Sequence, residues 1–362
     1  MPAPAIPPAP AAPGVAWFGG RRAIGVVEHA DLRERPGALA TPGWWALVGE
    51  FEGRVDAWRF ARVGPDRATT DPATWRGPDP GTWTTSLDRD SYVSAVDAVR
   101  AHVREGLVYQ ANLCRVLSAP LPAAGGDEPD ARALAARFAA GNPAPYAGGV
   151  HVPSGGAVPG TWVVTASPEL FLRVRDGVVT SGPIKGTAAT PGGLTAKDRA
   201  ENVMITDLVR NDLQRVCRPG TVAVTDLLAT EAHPGLVHLV STVAGELEPG
   251  VAHAPDLVAR LLDATYPPGS VSGAPKSSAL RVISELEPVP RGPYCGLVGW
   301  VRVGEDGTVE AELAVGIRTF WWRDGTLRFG TGAGITWGSD AAAEWDETEL
   351  KAARLVALAS GP

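Results

Sequence analysis

Residues 294–337 read YCGLVGWVRVGEDGTVEAELAVGIRTFWWRDGTLRFGTGAGITW. Four runs rich in Val, Leu, Phe and Trp alternate with Gly and Asp turns, which predicts an antiparallel meander. Residues 15–85 show a similar mixture of short apolar runs and turn residues. Residues 162–183 are extended on both sides of an Arg-Asp-Gly turn, which favours a hairpin. The sequence therefore predicts a chain built mainly from antiparallel strands.

Helical periodicity is restricted to a few segments between these strands. Apolar residues recur at helical spacing in residues 88–105 and 198–217, a short helix is expected around Leu134 to Phe138, and a last helix starts near Asp340. The segment YQANLCRVL, after the first of these helices, is a predicted strand. Helices and strands are thus both expected throughout the chain.

Composition restricts the classes of function. The 362 residues are 44% hydrophobic and 20% charged, which is typical of a globular protein. The net charge of −7 comes without a long basic run, so we expect no nucleic-acid partner. Three widely spaced cysteines indicate neither a disulfide framework nor a zinc site and favour a cytoplasmic location.

The N-terminal stretch MPAPAIPPAPAAPG, residues 1–14, is predicted to be a disordered Pro/Ala-rich tail. It has no basic segment followed by an apolar helix, so no signal peptide is expected. No run of about 18 apolar residues occurs in the sequence, so no membrane span and no membrane partner are expected either.

Residues 181–212, SGPIKGTAATPGGLTAKDRAENVMITDLVRND, hold the first candidate for chemistry. Only four of the 33 basic residues are lysines, and Lys185 is one of them. Arginine stays protonated and is a poor nucleophile, whereas a buried lysine amine can lose its proton and attack carbon. Lys185 is therefore a candidate nucleophile, and the alternative is an ordinary loop lysine paired with an acid.

Several acids accompany this lysine. Glu169 precedes it on the first arm of the predicted hairpin, where it is either an acid facing the amine or a surface carboxylate. Asp198 and Glu201 share one face of a helix, in the first turn where acids also complement the helix dipole. Glu344 and Glu347 share a face of the last helix with Lys351, although a solvated helix face would look the same.

Two further features suggest an anionic ligand. Arg318 lies among apolar residues, where a buried cation needs an anionic partner. The glycine-rich turn GTGAG at residues 330–334 allows backbone amides to approach a carboxylate closely. Neither feature identifies a ligand alone.

Taken together, ten stretches occur in the order typical of one family and resemble the chorismate-utilising enzymes, which include anthranilate synthase component I, aminodeoxychorismate synthase component I and the isochorismate and salicylate synthases. The stretches cover roughly residues 88–355. They are YQANL, SPELF, SGPIKGT, KDRAENVMITDLVRNDLQRVC, HLVSTVAGEL, GSVSGAPK, RGPYCGLVGW, AVGIRT, FGTGAGI and AEWDETELKA.

The resemblance implies a fold and a domain organisation. Members of the family are single α+β domains in which large antiparallel sheets form a sandwich-like core flanked by helices. Residues 88–358 would be the chorismate-binding catalytic region and residues 15–87 a shortened, β-rich N-terminal region of the same structural unit. Whether an allosteric tryptophan site survives in that shortened region stays open.

The resemblance also implies a reaction. Lysine in the Pro-Ile-Lys-Gly-Thr loop is typical of aminodeoxychorismate synthase component I, whereas anthranilate synthases usually have alanine there. The Lys185 amine would add to C2 of chorismate as the C4 hydroxyl leaves, Glu169 would protonate that hydroxyl, and ammonia would enter at C4. The product, 4-amino-4-deoxychorismate, leads to para-aminobenzoate and folate or to a secondary metabolite.

The remaining roles follow from the same resemblance. Mg²⁺ would be held by Glu201 and Glu347, with Glu344 and Asp198 in an outer or water-mediated position. Chorismate would contact Arg318, Lys351, Gly332, Ala333, Gly334, Tyr294, Ser272 and His238. Ammonia would come from a separate glutamine amidotransferase subunit.

The sequence leaves two alternative functions open. A sibling reaction would give anthranilate, or an isochorismate or salicylate product. A binding-only relative that regulates an amidotransferase is the alternative outside enzymes.

Overall fold

The computed structural model describes residues 11–188, 190–233 and 236–361. Its helices are α1 Arg89–Arg104, α2 Ala131–Gly141, α3 Ala196–Leu213, α4 Pro249–Ala252, α5 Leu257–Thr265, α6 Lys276–Leu286 and α7 Ala341–Ala359. Its strands are β1 Ala12–Phe18, β2 Arg21–Asp31, β3 Gly43–Gly49, β4 Val55–Pro65, β5 Thr84–Thr85, β6 Gln110–Pro120, β7 Tyr146–Val152, β8 Thr161–Ser167, β9 Leu170–Arg175, β10 Val178–Gly182, β11 Ile184–Ala188, β12 Ala223–His233, β13 Leu236–Glu246, β14 Gly273–Ala274, β15 Leu297–Val303, β16 Val309–Val315, β17 Thr319–Arg323 and β18 Thr326–Ile335.

The strands form two antiparallel layers that are joined through the pair β1–β2. One layer runs β6, β18, β17, β8, β7, β1. The other runs β2, β4, β3, β15, β16, β9, β10, β13, β12, with β11 also paired to β13. The predicted α+β domain with antiparallel sheets and flanking helices is therefore confirmed.

Apolar side chains from both layers meet in the main core. Ala16 and Val163 of the first layer share it with Leu47 and Leu313 of the second. Helices α2 and α7 cover the outer face of the first layer through a second cluster that includes Phe138. Burial of this surface drives the association of the layers. Among the described residues, no helix has the length and apolar character needed to span a membrane.

Two of the connections that carry the chain between the layers lie side by side. Pro168 and Glu169 link β8 of the first layer to β9 of the second, and Gly316 to Arg318 link β16 back to β17. The Val315 amide donates to the Glu169 carbonyl at 3.0 Å, and the Ala166 amide donates to the Arg318 carbonyl at 3.0 Å. These crossovers place the side chains of residues 169 and 318 at the same edge of the sandwich.

The crossovers correct two sequence-based expectations. The predicted meander is two hairpins in different layers, because β16 pairs with β15 and β9 whereas β17 pairs with β18 and β8. The hairpin turn at Asp176 and Gly177 is as predicted, but its first arm starts only at Leu170. Pro168 has no N–H for a sheet ladder, and the chain changes layer there.

Residues 12–14, which were predicted to belong to the disordered tail, lie in β1. Ala12 already pairs with Val26 of β2, and the register shift between Ala12 and Val15 accommodates Pro13 in an irregular stretch. The first ten residues lie outside the described part of the chain. Strands of residues 15–87 pair with later strands in both layers, through β1–β7 and β3–β15, whereas the predicted boundary at 87 and 88 stays a prediction.

The second crossover requires a close backbone approach at Gly316. A Cβ there would lie 2.0 Å from the Pro293 carbonyl oxygen, which is backbone and cannot rotate away. We expect Gly316→Ala to lower the free energy of unfolding by about 2 kcal/mol, because the crossover must shift. Chemical denaturation at equilibrium measures the change.

The matched control for Gly316 is Gly64→Ala, also near a strand end. A Cβ at Gly64 meets no atom within 4 Å, so its effect should stay within about 0.5 kcal/mol. Equal effects of the two substitutions would contradict the role of Gly316 in the crossover.

Candidate active site

A cavity of about 600 Å³ lies at the two crossovers. The crossovers contribute Glu169 and Arg318, β11 contributes Lys185, and α3 and α7 contribute charged side chains. Glycines 330, 332 and 334 of β18 leave one stretch of wall without side chains. The cavity volume is typical of a small-molecule site.

All but two of the residues predicted for the site line this cavity. These residues come from distant parts of the chain, and the fold brings them together. They are Glu169, Lys185, Asp198, Glu201, His238, Tyr294, Arg318, Gly332, Gly334, Glu344, Glu347 and Lys351.

Ala333 and Ser272 are the two exceptions. Side chains alternate along a strand, so Ala333 faces away from its glycine neighbours and packs in a cluster with Tyr92 and Ala279. Ser272 is fully buried, and its hydroxyl donates to the Pro268 carbonyl at 3.0 Å. Ser270 lines the cavity instead and hydrogen-bonds the Glu169 carboxyl.

Lys185 lies in β11, next to a glycine with a constrained backbone. Gly186 has φ of +89°, and a Cβ there would lie 2.7 Å from the Asp198 Cβ, so the position requires glycine. A Cβ at Gly334 would lie 3.5 Å from Lys185 Nζ. Burial lowers the pKa of Lys185, although the charges of Glu201 and Glu169 oppose the shift. The amine is therefore closer to its nucleophilic, neutral form than an exposed lysine would be.

Glu169 has the complementary property. Its side chain is buried, and burial raises its pKa to about 7, despite the opposing hydrogen bond from Ser270 and the charge of Lys185. A carboxyl group with such a pKa can hold a proton at neutral pH and still release it. The cavity thus contains a candidate acid and a candidate nucleophile together.

Three glutamates and two lysines form the charged side of the cavity. Lys197 Nζ lies 3.1 Å from Glu344 Oε1 and 3.7 Å from Glu201 Oε1, and Lys351 Nζ lies 2.6 Å from Glu347 Oε1. Burial raises the pKa of Glu201. Burial would also raise the pKa of Glu347, but the charge and hydrogen bond of Lys351 bring it below its ordinary value.

This side of the cavity can accommodate Mg²⁺. Within the described ranges no three His, Cys, Asp or Glu side chains form a cluster that could hold a metal ion. Mg²⁺ needs only one or two carboxylates when waters and substrate oxygens complete its shell. Glu201 Oε1 is buried and accepts no hydrogen bond, and Glu347 faces the same cavity. The donor set therefore fits a hard divalent cation.

Asp198 has a structural task that the sequence prediction did not assign. Its Oδ2 accepts hydrogen bonds from the Thr195 amide at 2.8 Å and the Thr195 hydroxyl at 2.7 Å, and the Asp198 amide donates back to that hydroxyl. This capping box starts α3 and fixes the turn that holds Glu201. Only its other oxygen is left for a water-mediated role.

Arg318 contributes a further cation to the cavity wall. Arg318 has φ of +51°, and among the described residues no carboxylate pairs with its guanidinium group. Burial lowers the pKa of Arg318. The Tyr294 ring packs against Gly330, where a Cβ would lie 2.0 Å from the ring. His238 is buried in β13. An anionic ligand is therefore the natural partner of Arg318.

Sequence reasoning left three neighbouring side chains without a role. Gln110 is buried, its Oε1 accepts no hydrogen bond, and its Nε2 would lie 2.2 Å from a Cβ at Gly334. Lys197 bridges two of the carboxylates, and the scarcity of lysine could have indicated it. Ser270 could be found only from the fold, because it and Ser272 belong to the same short motif.

Comparison with known proteins agrees with this geometry. A family model described as chorismate binding enzyme matches residues 54–357. The chain belongs to this family. Aminodeoxychorismate synthase component 1 from Klebsiella aerogenes is 33% identical over 329 residues, covering 86% of this chain and 68% of that protein. Anthranilate synthase component 1 from Saccharolobus solfataricus is 34% identical over 280 residues, covering 74% of this chain and 61% of that protein.

The fold of the family is also shared. The crystal structure of anthranilate synthase component I from Streptococcus pneumoniae TIGR4 superimposes with a TM-score of 0.72 at 22% identity, covering 97% of this chain and 91% of that one. The similarity at this identity concerns the fold. Relatives named anthranilate synthase component 1 are 34–39% identical to this chain, and relatives named aminodeoxychorismate synthase are 33–34% identical, so the family alone does not select one reaction.

The raised pKa of Glu169 predicts a pH-dependent stability change. Between the unfolded pKa near 4.5 and the folded value of about 7, only the folded state keeps this proton, so stability falls as pH rises through that window. We expect Glu169→Gln to remove this loss and to stabilise the protein by up to about 3 kcal/mol above pH 7. Chemical denaturation at a series of pH values measures this difference in the free energy of unfolding.

The control for Glu169 is Glu305→Gln, at an exposed turn. The free energy of unfolding of Glu305→Gln should change with pH in the same way as that of the unchanged protein. If Glu169→Gln is no more stable than the unchanged protein at alkaline pH, the carboxyl group is not held in its neutral form.

Proposed function

We propose that the chain is an aminodeoxychorismate synthase of the component I type, which converts chorismate and ammonia to 4-amino-4-deoxychorismate. The observation that carries the proposal is the pair formed by Lys185, with its lowered pKa, and Glu169, with a pKa of about 7, in one cavity. A nucleophile and an acid tuned in opposite directions suit the displacement of a hydroxyl group.

Chorismate would bind through its two carboxylates. The unpaired guanidinium group of Arg318 would receive one of them, and the glycines of β18 would allow the ring to lie close to the strand backbone. Lys351, whose amine donates to the Gly332 carbonyl at 3.1 Å, adds positive charge at the same wall. Tyr294 and His238 would line the cavity around the bound chorismate.

The first step forms one bond and breaks another. The neutral Lys185 amine adds to C2, the ring double bonds shift, and the C4–O bond breaks as Glu169 gives its proton to the hydroxyl, which leaves as water. Ammonia then adds at C4, the double bonds shift back, and the C2–N bond to Lys185 breaks. The lowered pKa of Lys185 increases the fraction of its amine that can attack without a base.

Mg²⁺ would be held by Glu201 and Glu347, where it would neutralise and orient a substrate carboxylate. Glu344 and Asp198 would contribute through water. Lys197 and Lys351 neutralise the glutamates in the structure and would have to share them with the ion. A cytoplasmic location and a place in para-aminobenzoate and folate biosynthesis remain predictions.

Ammonia would come from a separate glutamine amidotransferase. The relatives that are named component 1 support a two-component arrangement. The alternative is an anthranilate synthase reaction or an isochorismate-type reaction. The chain is similar to relatives with different names, so the product assay has to distinguish these reactions. A binding-only regulator would not need a buried acid with a raised pKa and an amine with a lowered pKa in the same cavity.

Substitution of Lys185 tests the proposed covalent step. With chorismate, MgCl₂ and ammonium chloride, the unchanged protein should form 4-amino-4-deoxychorismate. Lys185→Ala and Lys185→Arg should both lose this product by roughly a thousandfold or more, because neither offers a neutral amine. Mass spectrometry and absorbance identify the product, and thermal unfolding checks that both variants fold.

The arginine variant separates charge from nucleophilicity. Recovery of the product in Lys185→Arg would mean that a cation suffices and would contradict the covalent step. A 2-amino or 2-hydroxy product from the unchanged protein would instead rule out the proposed reaction.

The two tuned groups also predict the pH dependence of kcat/KM for chorismate. The rate should fall as pH rises through about 7, because Glu169 loses the proton that it must donate, whereas the lowered pKa of Lys185 extends toward lower pH the range in which its amine is free to attack. The concentration of free ammonia must be held constant across the series. A rate that stays level through neutrality would exclude Glu169 as the acid.

A further inference from the structure

Helix α7 has to be fixed in rotation if it is to serve the cavity. Glu344, Glu347 and Lys351 all reach the cavity from one side of this helix. Each residue of an α-helix advances by about 100°, so a rotation by one position would turn these side chains out of the wall. Something outside the cavity must therefore set the orientation of α7.

Arg115 of β6 contacts α7 through three of its residues. Its side chain is 1% exposed, and its Nε donates to Thr348 Oγ1 at 3.0 Å. Its Nη2 donates to the Glu349 carboxylate, and its guanidinium carbon lies 4.2 Å from the centre of the Trp345 ring. These three partners span just over one turn of α7.

The arginine is itself held in place from the sheet. Its Nη1 donates to Thr85 Oγ1 at 3.2 Å, and β6 pairs Arg115 with Thr331 of β18. The Thr331 hydroxyl donates to the Thr348 carbonyl at 2.9 Å, which attaches the same turn of α7 a second time. Arg115, Trp345, Thr348 and Glu349 are not part of the cavity wall.

We propose that Arg115 is a positioning residue that fixes the rotation of α7 and so places Glu344 and Glu347 for the divalent cation. The inference rests on the metal site of the proposed function. The planar guanidinium group donates in three directions and stacks on an indole at the same time, which a lysine ammonium cannot do. Glu347 lies within two residues of all three contacts, and Glu344 is next to Trp345.

The test compares Mg²⁺ affinity with maximal rate. For Arg115→Lys and Thr348→Val, calorimetric titration with MgCl₂ should give a dissociation constant about tenfold higher than that of the unchanged protein, as is typical when a residue that orients a metal ligand is lost. The Mg²⁺ concentration for half-maximal chorismate consumption should rise in step. The rate at saturating Mg²⁺ should recover to within about twofold, because excess ion restores occupancy.

Two further variants are matched controls. Thr348→Ser keeps the hydroxyl that accepts from Arg115 and should keep the Mg²⁺ affinity. Arg100→Lys alters an exposed arginine of α1 that pairs with Asp97, and it should change neither quantity. If Arg115→Lys does not fold, the difference in Mg²⁺ affinity between Thr348→Val and Thr348→Ser still tests whether the hydrogen bond to Arg115 places the metal ligands.

The outcomes separate the inference from the function on which it rests. A lower melting temperature or maximal rate with unaltered Mg²⁺ affinity would show that Arg115 only stabilises the fold and would overturn the inference. No Mg²⁺ binding by the unchanged protein would overturn the metal assignment and the inference together. Weakened Mg²⁺ binding in the variants supports the inference even if the unchanged protein makes a product other than 4-amino-4-deoxychorismate.

Discussion

Strands that change layer at one edge of the sandwich determine where every other part of the site can be. Backbone hydrogen bonds join the two crossovers, so Glu169 and Arg318 cannot move independently of the sheets. The crossover residues belong to neither ladder, and their side chains are free to face a cavity. Helices α3 and α7 then bring charge to a position that the sheets have already defined. The site is thus a consequence of strand connectivity more than of any single loop.

Burial does most of the chemical tuning in this cavity. It disfavours the charged forms of an acid and an amine, so the pKa of Glu169 rises while that of Lys185 falls. Their mutual attraction works against both shifts and is too weak to cancel them. Lysine is concentrated in this region. Even Lys276, which is outside the main cavity, pairs with Asp212 at 2.6 Å, and Asp212 and Glu169 line the same small cavity.

Much of this architecture could be predicted from the sequence. Helix starts such as Asp88 and Asp340 follow from capping residues, and the turn at residues 176 and 177 follows from its composition. The positions at which the chain changes layer could not be predicted, because strand periodicity is the same on both sides of a crossover. Strand alternation could have excluded Ala333 from the cavity, and the Thr-x-x-Asp pattern could have shown that Asp198 caps a helix. Choosing Ser270 over Ser272 required three-dimensional information.

The unpaired guanidinium group of Arg318 has a consequence for how a ligand arrives. The protein carries a net charge of −7, so at long range it repels anions. Inside the cavity, the local field of an uncompensated cation reverses that repulsion over a few ångströms. Entry of an anion is therefore governed by two opposing electrostatic terms of different range. Raising the ionic strength screens the distant repulsion before the local attraction, so moderate salt should speed the encounter instead of slowing it.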